Sequence, residues 1–321
     1  MAHIVATRPL IEGGLSGLRD THTVTVCDPP NGSARSVDEL IALTEGADVL
    51  LSILADPVEA ELFEARPRLN MVAQYAAGVD NIDLEAAEAH DVAVTHTPGV
   101  LTDATADLAW ALLLAVARHV PAADEYVREG QFERWETTLM LGVGLAEKTM
   151  GIVGLGRIGR AVARRALGFG MDVVYHNRTP ANPTLERQAS AQYLPLDNLL
   201  RTSDVVSLHC PHNADSHHLI DADALAAMKP SALLVNTARG PVVDEAALAE
   251  ALADGEIAGA GLDVFEEEPD VHPRVLEQDR VVLSPHLGSA TARARMRMAR
   301  MCETSIAAFL DGNDSVPHRL V

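Results

Sequence analysis

Met150-Gly-Ile-Val-Gly154-Leu-Gly156-Arg157-Ile158-Gly159, then Arg160-Ala-Val-Ala-Arg-Arg-Ala-Leu-Gly-Phe-Gly170, then Met171-Asp-Val-Val-Tyr-His-Asn177-Arg178-Thr179, is the stretch that decides the fold. It reads as a buried strand, a glycine-rich turn, an amphipathic helix and a second strand. Gly154, Gly156 and Gly159 form G-x-G-x-x-G, and each has a separate physical task. Gly154 permits the tight turn out of the strand. Gly156 leaves room for a pyrophosphate to approach the backbone, and Gly159 lets helix and strand pack closely. The helix directs its N-terminal N–H groups and partial positive charge at the phosphates. A second strand ending about 20 residues after Gly156 completes the spacing of a dinucleotide site.

Strand–helix alternation continues on both sides. Short apolar runs at 3–6, 22–27, 48–53, 71–75 and 92–95 precede the motif, and 204–209, 232–237, 258–264 and 281–284 follow it. Ser36 and Glu39 have the spacing of a capping box before a helix. Long helices are expected at 102–118 and at about 289–310. The pattern predicts two doubly wound parallel-sheet α/β domains, a Rossmann cofactor domain inserted in a flavodoxin-like substrate domain. The expected substrate-binding domain is 1–100 with 288–321. The expected dinucleotide-binding domain is 101–287.

The chain has 321 residues, enough for two cores. No apolar run reaches the roughly 18 residues that would span a membrane. Met1 leads almost directly into His-Ile-Val-Ala, which reads as a first strand rather than a signal peptide. Cys27, Cys210 and Cys302 lack metal-type spacing and fit a reducing, cytoplasmic setting. Acidic residues number 46 against 25 basic ones, a formal net charge of −21, and only Lys148 and Lys229 are lysines. Such a surface disfavours nucleic acid and anionic membranes as partners. A GC-rich genome accounts for the missing lysines but not for the acidic excess, which fits a salt-rich cytoplasm. The melting temperature should then rise between about 0.1 and about 2 M KCl as screening relieves repulsion. A flat or falling curve would leave codon bias as the only explanation.

Reactive side chains follow three strands: Arg239 after 232–237, Glu268 after 258–264, and His286 after 281–284. Beside a nicotinamide, this set suits hydride transfer to a 2-keto acid. Arg239 can bind the substrate carboxylate as a bidentate fork and polarise the keto oxygen. His286 can protonate that oxygen, and Glu268 can orient the imidazole and favour the imidazolium. His209, His212, His217 and His218 also cluster, but no second ligand set accompanies them and no metal is expected.

Five segments taken together resemble the D-isomer-specific 2-hydroxyacid dehydrogenases over essentially the full length. They are 78–83 (Gly-Val-Asp-Asn-Ile-Asp), 151–159, 235–244 (Val-Asn-Thr-Ala-Arg-Gly-Pro-Val-Val-Asp), 261–269 (Gly-Leu-Asp-Val-Phe-Glu-Glu-Glu-Pro) and 284–291 (Ser-Pro-His-Leu-Gly-Ser-Ala-Thr). The resemblance implies that Arg239, Glu268 and His286 are the catalytic triad. It implies that backbone N–H groups around Ala77, Gly78 and Val79 hold the substrate carboxylate. It places Asp263 on the nicotinamide amide and lines the cofactor with Thr105, Arg157, Ile158, Cys210, Pro211, Ser216, Thr237, Ala238 and Gly288. Segments 101–109 and 135–145 are similar to the glyoxylate/hydroxypyruvate reductase branch, which implies glyoxylate and hydroxypyruvate as substrates. It also implies a homodimer joined through 119–148, with Trp135 directed at the partner subunit. Where family members often read His-x-Pro-Leu-Thr, this chain has His209-Cys-Pro-His-Asn213.

NADPH is the expected cofactor, with NAD possible. An NAD enzyme ends the second strand in Asp or Glu, whose charge repels a 2′-phosphate. Here Asn177 stands about where the acid would be, and Arg178 and Thr179 follow. A guanidinium can bind the phosphate, and Asn177 and Thr179 offer neutral donors. The competing expectations are another dehydrogenase of this family, of D-3-phosphoglycerate or D-lactate type, and a non-catalytic nucleotide-sensing protein on the same fold.

Overall fold

The structure, a computed structural model, describes residues 1–28, 34–313 and 315–321. It divides into two compact units, Met1–Leu101 with Ala290–Val321, and Thr102–Ser289. The first boundary falls one residue beyond the expected one and the second falls two. Gly288 belongs to the larger unit because its N–H donates to Asp263 Oδ2 and its carbonyl accepts from Thr105 Oγ1.

The discontinuous unit holds β1 (His3–Ala6), β2 (Thr23–Val26), β3 (Val49–Ser52), β4 (Met71–Gln74) and β5 (Ala93–Thr95). All pair in parallel, in the order β2-β1-β3-β4-β5, the flavodoxin-like arrangement. Strand period sorts the side chains between two cores. Val49, Leu51, Met71 and Ala73 pack with Met298, Ala299, Cys302 and Ile306 of helix Ala292–Leu310, whereas Leu50 and Val72 pack with Leu40, Leu62 and Phe63. Fully burying each such Leu, Ile or Phe side chain stabilises the fold by about 1.5–3 kcal/mol. The capping box forms as expected, Ser36 accepting from Glu39 N–H while Glu39 accepts from Ser36 N–H.

The larger unit holds β6 (Thr149–Val153), β7 (Asp172–His176), β8 (Ala191–Tyr193), β9 (Val205–Leu208), β10 (Leu233–Asn236), β11 (Gly259–Leu262) and β12 (Val281–Leu283). They form one parallel sheet in the order β12-β11-β10-β9-β6-β7-β8. The order reverses between β6 and β9, and a crevice at such a switch point is where doubly wound sheets bind ligands. Helix Thr102–Ala117 covers one face through Ala106, Ala109, Trp110, Leu113 and Val116. Helix Glu245–Asp254 covers the other through Leu248, Ala249 and Leu252. The sequence reading overlooked β8: Ala-Gln-Tyr has no apolar run, and its three residues are strand only because β7 offers them a free edge. Among the described residues, no single helix is long and apolar enough to cross a membrane.

Candidate active site

The three glycines of the loop do three different things. Gly154 has φ +99°, and a Cβ there would lie 2.6 Å from the Cys210 nitrogen and the His209 carbonyl carbon. Both conformation and space therefore demand glycine. A Cβ on Gly159 would lie 2.2 Å from Gly154 O, so the helix Arg157–Gly168 packs directly on the turn. At Gly156 nothing stands within 4 Å of the missing Cβ, and no side chain caps the helix. Its first N–H groups are open to an anion. The ends of β9 and β10 carry two sealed, unpartnered atoms, His209 Nδ1 and Thr237 Oγ1. Burial pushes His209 down to about 3, so the ring is neutral. An open N-terminus with orphaned polar atoms beside it fits a dinucleotide.

The strand ends assemble the reactive groups. His286 Nδ1 lies 2.8 Å from Glu268 Oε2, and Glu268 Oε1 accepts from Phe265 N–H at 3.1 Å. The His286 and Glu268 side chains are 33% and 36% exposed, open enough to meet a substrate. His286 has φ +52°, a conformation held by donation of its N–H to Asp263 O at 2.8 Å. Arg239 leads into the turn Gly240–Val242. A Cβ on Gly240 would sit 1.7 Å from Phe265 O, so only glycine brings the arginine turn against the loop of Glu268. Burial raises the Glu268 carboxyl, but the His286 hydrogen bond and charge, the Phe265 N–H and the Arg239 guanidinium outweigh it. The group is held below the usual glutamate range.

A native value below the unfolded one fixes the sign of the acid response. The stabilisation is complete above the unfolded range of about 4.3, and is lost as pH falls through the native value. Denaturant midpoints of wild type and Glu268→Gln should therefore converge once the pH lies below that native value. A gap that persists there would contradict ionisation of Glu268 by these partners.

Comparison with known proteins follows the same lines. Residues 110–288 match the profile of the D-isomer specific 2-hydroxyacid dehydrogenase NAD binding domain. The glyoxylate reductase of Thermococcus onnurineus is 46% identical over 322 residues, covering 99% of this chain and 95% of that protein. The chain belongs to the D-isomer-specific 2-hydroxyacid dehydrogenases. Crystal structures agree. A protein of Thermus thermophilus superposes with TM-score 0.92 at 43% identity, covering 99% of this chain and 100% of that one. The NADPH-dependent glyoxylate/hydroxypyruvate reductase of Sinorhizobium meliloti, solved with NADP and malonate, gives 0.87 at 31% identity, covering 100% and 97%. This member of the family is an NAD(P)-dependent oxidoreductase.

Within this dehydrogenase, several residues expected on the cofactor also build the loops. Asp263 is buried, and Oδ1 accepts from Ser284 Oγ and Leu287 N–H while Oδ2 accepts from Gly288 N–H. Burial raises its carboxyl against those donors. One acceptor position on Oδ2 is left for an amide. Ser216 Oγ donates to Pro211 O and accepts from Asn213 N–H, stapling the 211–216 loop. Asn177 Oδ1 accepts from Leu155 N–H at 2.8 Å, so it braces the glycine loop and leaves its Nδ2 as donor. Arg178 and Thr179 are exposed, and Arg178 Nη1 lies 2.9 Å from Asp215 Oδ2. Burial lifts the Cys210 thiol to about 11, so it lines the site as a neutral thiol. Ala238 is buried beside Thr237, and its N–H donates to Asn236 Oδ1. In the other unit, Ala77, Gly78 and Val79 follow β4. Their carbonyls accept from His96 Nδ1, Gln74 Nε2 and Ile82 N–H, while their own N–H groups bond to nothing among the described residues.

Asn236, Glu245, Glu266 and His218 hold these loops, a role that the sequence reading, which named His218 only within the histidine cluster, did not give them. His218 and Glu266 meet at 2.5 Å, and His217 stacks on His218. Among the described residues no group of three His, Cys, Asp or Glu is arranged to hold a metal ion.

Proposed function

We propose that the protein reduces small 2-keto acids, glyoxylate to glycolate and hydroxypyruvate to D-glycerate, with NADPH preferred over NADH. The observation that carries this reading is the Glu268–His286 contact at 2.8 Å on strand ends shared with Arg239 and the glycine loop. The relatives named glyoxylate reductase support the substrate class. Bound reduced nicotinamide supplies the hydride. Arg239 binds the substrate carboxylate and polarises the keto oxygen. With Nδ1 bonded to Glu268, His286 delivers its Nε2 proton to that oxygen and regains one from solvent. The family resemblance assigns substrate carboxylate binding also to backbone N–H groups around Ala77, Gly78 and Val79. The cofactor-lining set is Thr105, Gly154, Gly156, Arg157, Ile158, Gly159, Cys210, Pro211, Ser216, Thr237, Ala238, Asp263 and Gly288, with Asn177, Arg178 and Thr179 at the ribose. Three unbonded cysteines fit a cytoplasmic enzyme.

Cofactor oxidation with a panel of 2-keto acids at millimolar concentration tests the assignment. Glyoxylate and hydroxypyruvate should be consumed fastest. Preference for pyruvate would favour a D-lactate type of dehydrogenase, and no turnover at all would favour a nucleotide-sensing protein.

The enzyme is proposed to be a two-fold dimer. Helix Val120–Arg128 buries no residue, and Val127, Phe132, Trp135 and Leu141 are exposed. An apolar strip of this kind on an acidic surface is suited to a second copy of the chain. Light scattering should give twice the monomer mass at micromolar concentration; a monomer would exclude this arrangement.

A further inference from the structure

Glu245 is a buried carboxylate, 4% exposed, that the proposed chemistry does not use. It opens helix Glu245–Asp254 behind the Arg239 turn. Its two oxygens are divided between two backbone donors. Oε1 accepts from Glu266 N–H at 2.6 Å, and Oε2 accepts from His272 N–H at 3.0 Å. Those donors flank Glu268, so one carboxylate closes both ends of the loop that carries the acid of the triad. Glu266 returns the contact, its Oε2 accepting from Glu245 N–H at 3.3 Å. Its Oε1 meets His218 Nε2, and His218 N–H donates to Pro241 O at 2.8 Å, two residues beyond Arg239.

Among the described residues no Lys, Arg or His nitrogen pairs with Glu245; its charge is met by backbone N–H groups and a helix N-terminus. An apolar residue of similar volume would avoid desolvating a charge but would leave the Glu266 and His272 N–H groups without these acceptors. What the carboxylate adds is direction: two strong charge-assisted bonds with fixed acceptor positions.

We infer that Glu245, clasped with Glu266 and His218, is a positioning residue that sets Glu268 against His286 and registers the Arg239 turn with the same loop. The inference rests on the triad reading above. Glu245→Gln keeps the shape but replaces one acceptor with an NH₂ that faces a backbone N–H, releasing one end of the loop. Misplacement of a reacting group by about 1 Å can cost about 10²-fold in rate.

The test is a double-mutant cycle in kcat with the folded full-length enzyme, Glu245→Gln against Glu268→Gln. Glu245→Gln should lower kcat at least tenfold, leave the cofactor KM within twofold, and cost less than twofold in the Glu268→Gln background. Glu266→Gln, on a half-buried side chain, provides the same cycle if Glu245→Gln does not fold, with at least a threefold loss expected. A merely structural role would lower the melting temperature and give additive losses, and that result would overturn the inference. So would wild-type kcat in both clasp variants. If Glu268→Gln itself turns over normally, the triad reading fails; if it is impaired while the clasp variants are normal, only the clasp fails.

Discussion

His286→Ala is expected to lower turnover by about 10²–10⁴-fold, the usual contribution of a positioned general acid. The geometry gives the loss a single chemical origin. Glu268 takes the Nδ1 side of the ring, and in the proposed mechanism Nε2 meets the developing alkoxide. Without the imidazole the negative charge on oxygen must be met by Arg239 and solvent alone. The backbone at 286 has φ +52°, which alanine tolerates poorly and asparagine tolerates better. His286→Asn therefore separates chemistry from strain. Both variants should lose turnover to a similar extent while binding cofactor normally. Recovery of most activity in the asparagine variant would mean that the side chain serves the fold rather than the proton.

The second large effect concerns the nicotinamide. Asn177→Asp combined with Arg178→Ala should turn a preference of at least about tenfold for NADPH into a comparable preference for NADH. That is a swing of about 100-fold, or about 2.8 kcal/mol. Aspartate at 177 keeps an oxygen for Leu155 N–H, so the glycine loop remains braced while a repelling charge is added. Loss of Arg178 removes the cation and leaves Asp215, now its partner at 2.9 Å, unpaired near the same place. Both changes act against a 2′-phosphate. Because Arg178 and Asp215 are largely exposed, the wild-type preference should weaken in high salt. An unchanged cofactor ratio in the double variant would place the 2′-phosphate away from residues 177–179.

The sequence was informative where chemistry is written in local spacing. Gly154 and Gly159 gave the turn and the close packing, and both tasks are visible in the contacts of their missing Cβ atoms, while the space beside Gly156 is open. The strand ends bearing Arg239, Glu268 and His286 were legible because each follows a short apolar strand, Leu233–Asn236, Gly259–Leu262 and Val281–Leu283. Illegible features depend on neighbours brought together by the fold. Strand β8 lacks an apolar run and takes its order from β7. Glu245 reads as the first acidic residue of an ordinary helix until Glu266 and His272 are seen to donate to it. Asp215 lies 37 residues from Arg178, with nothing in its local pattern to indicate the pairing.

Transfer of deuterium tests the central claim most directly. Hydroxypyruvate is incubated with the enzyme and NADPH dideuterated at C4 of the nicotinamide, and the product is examined by mass spectrometry and chiral separation. Direct hydride transfer with protonation of the oxygen by His286 predicts D-glycerate carrying one deuterium at C2. Unlabelled product, L-glycerate, or no product would contradict it.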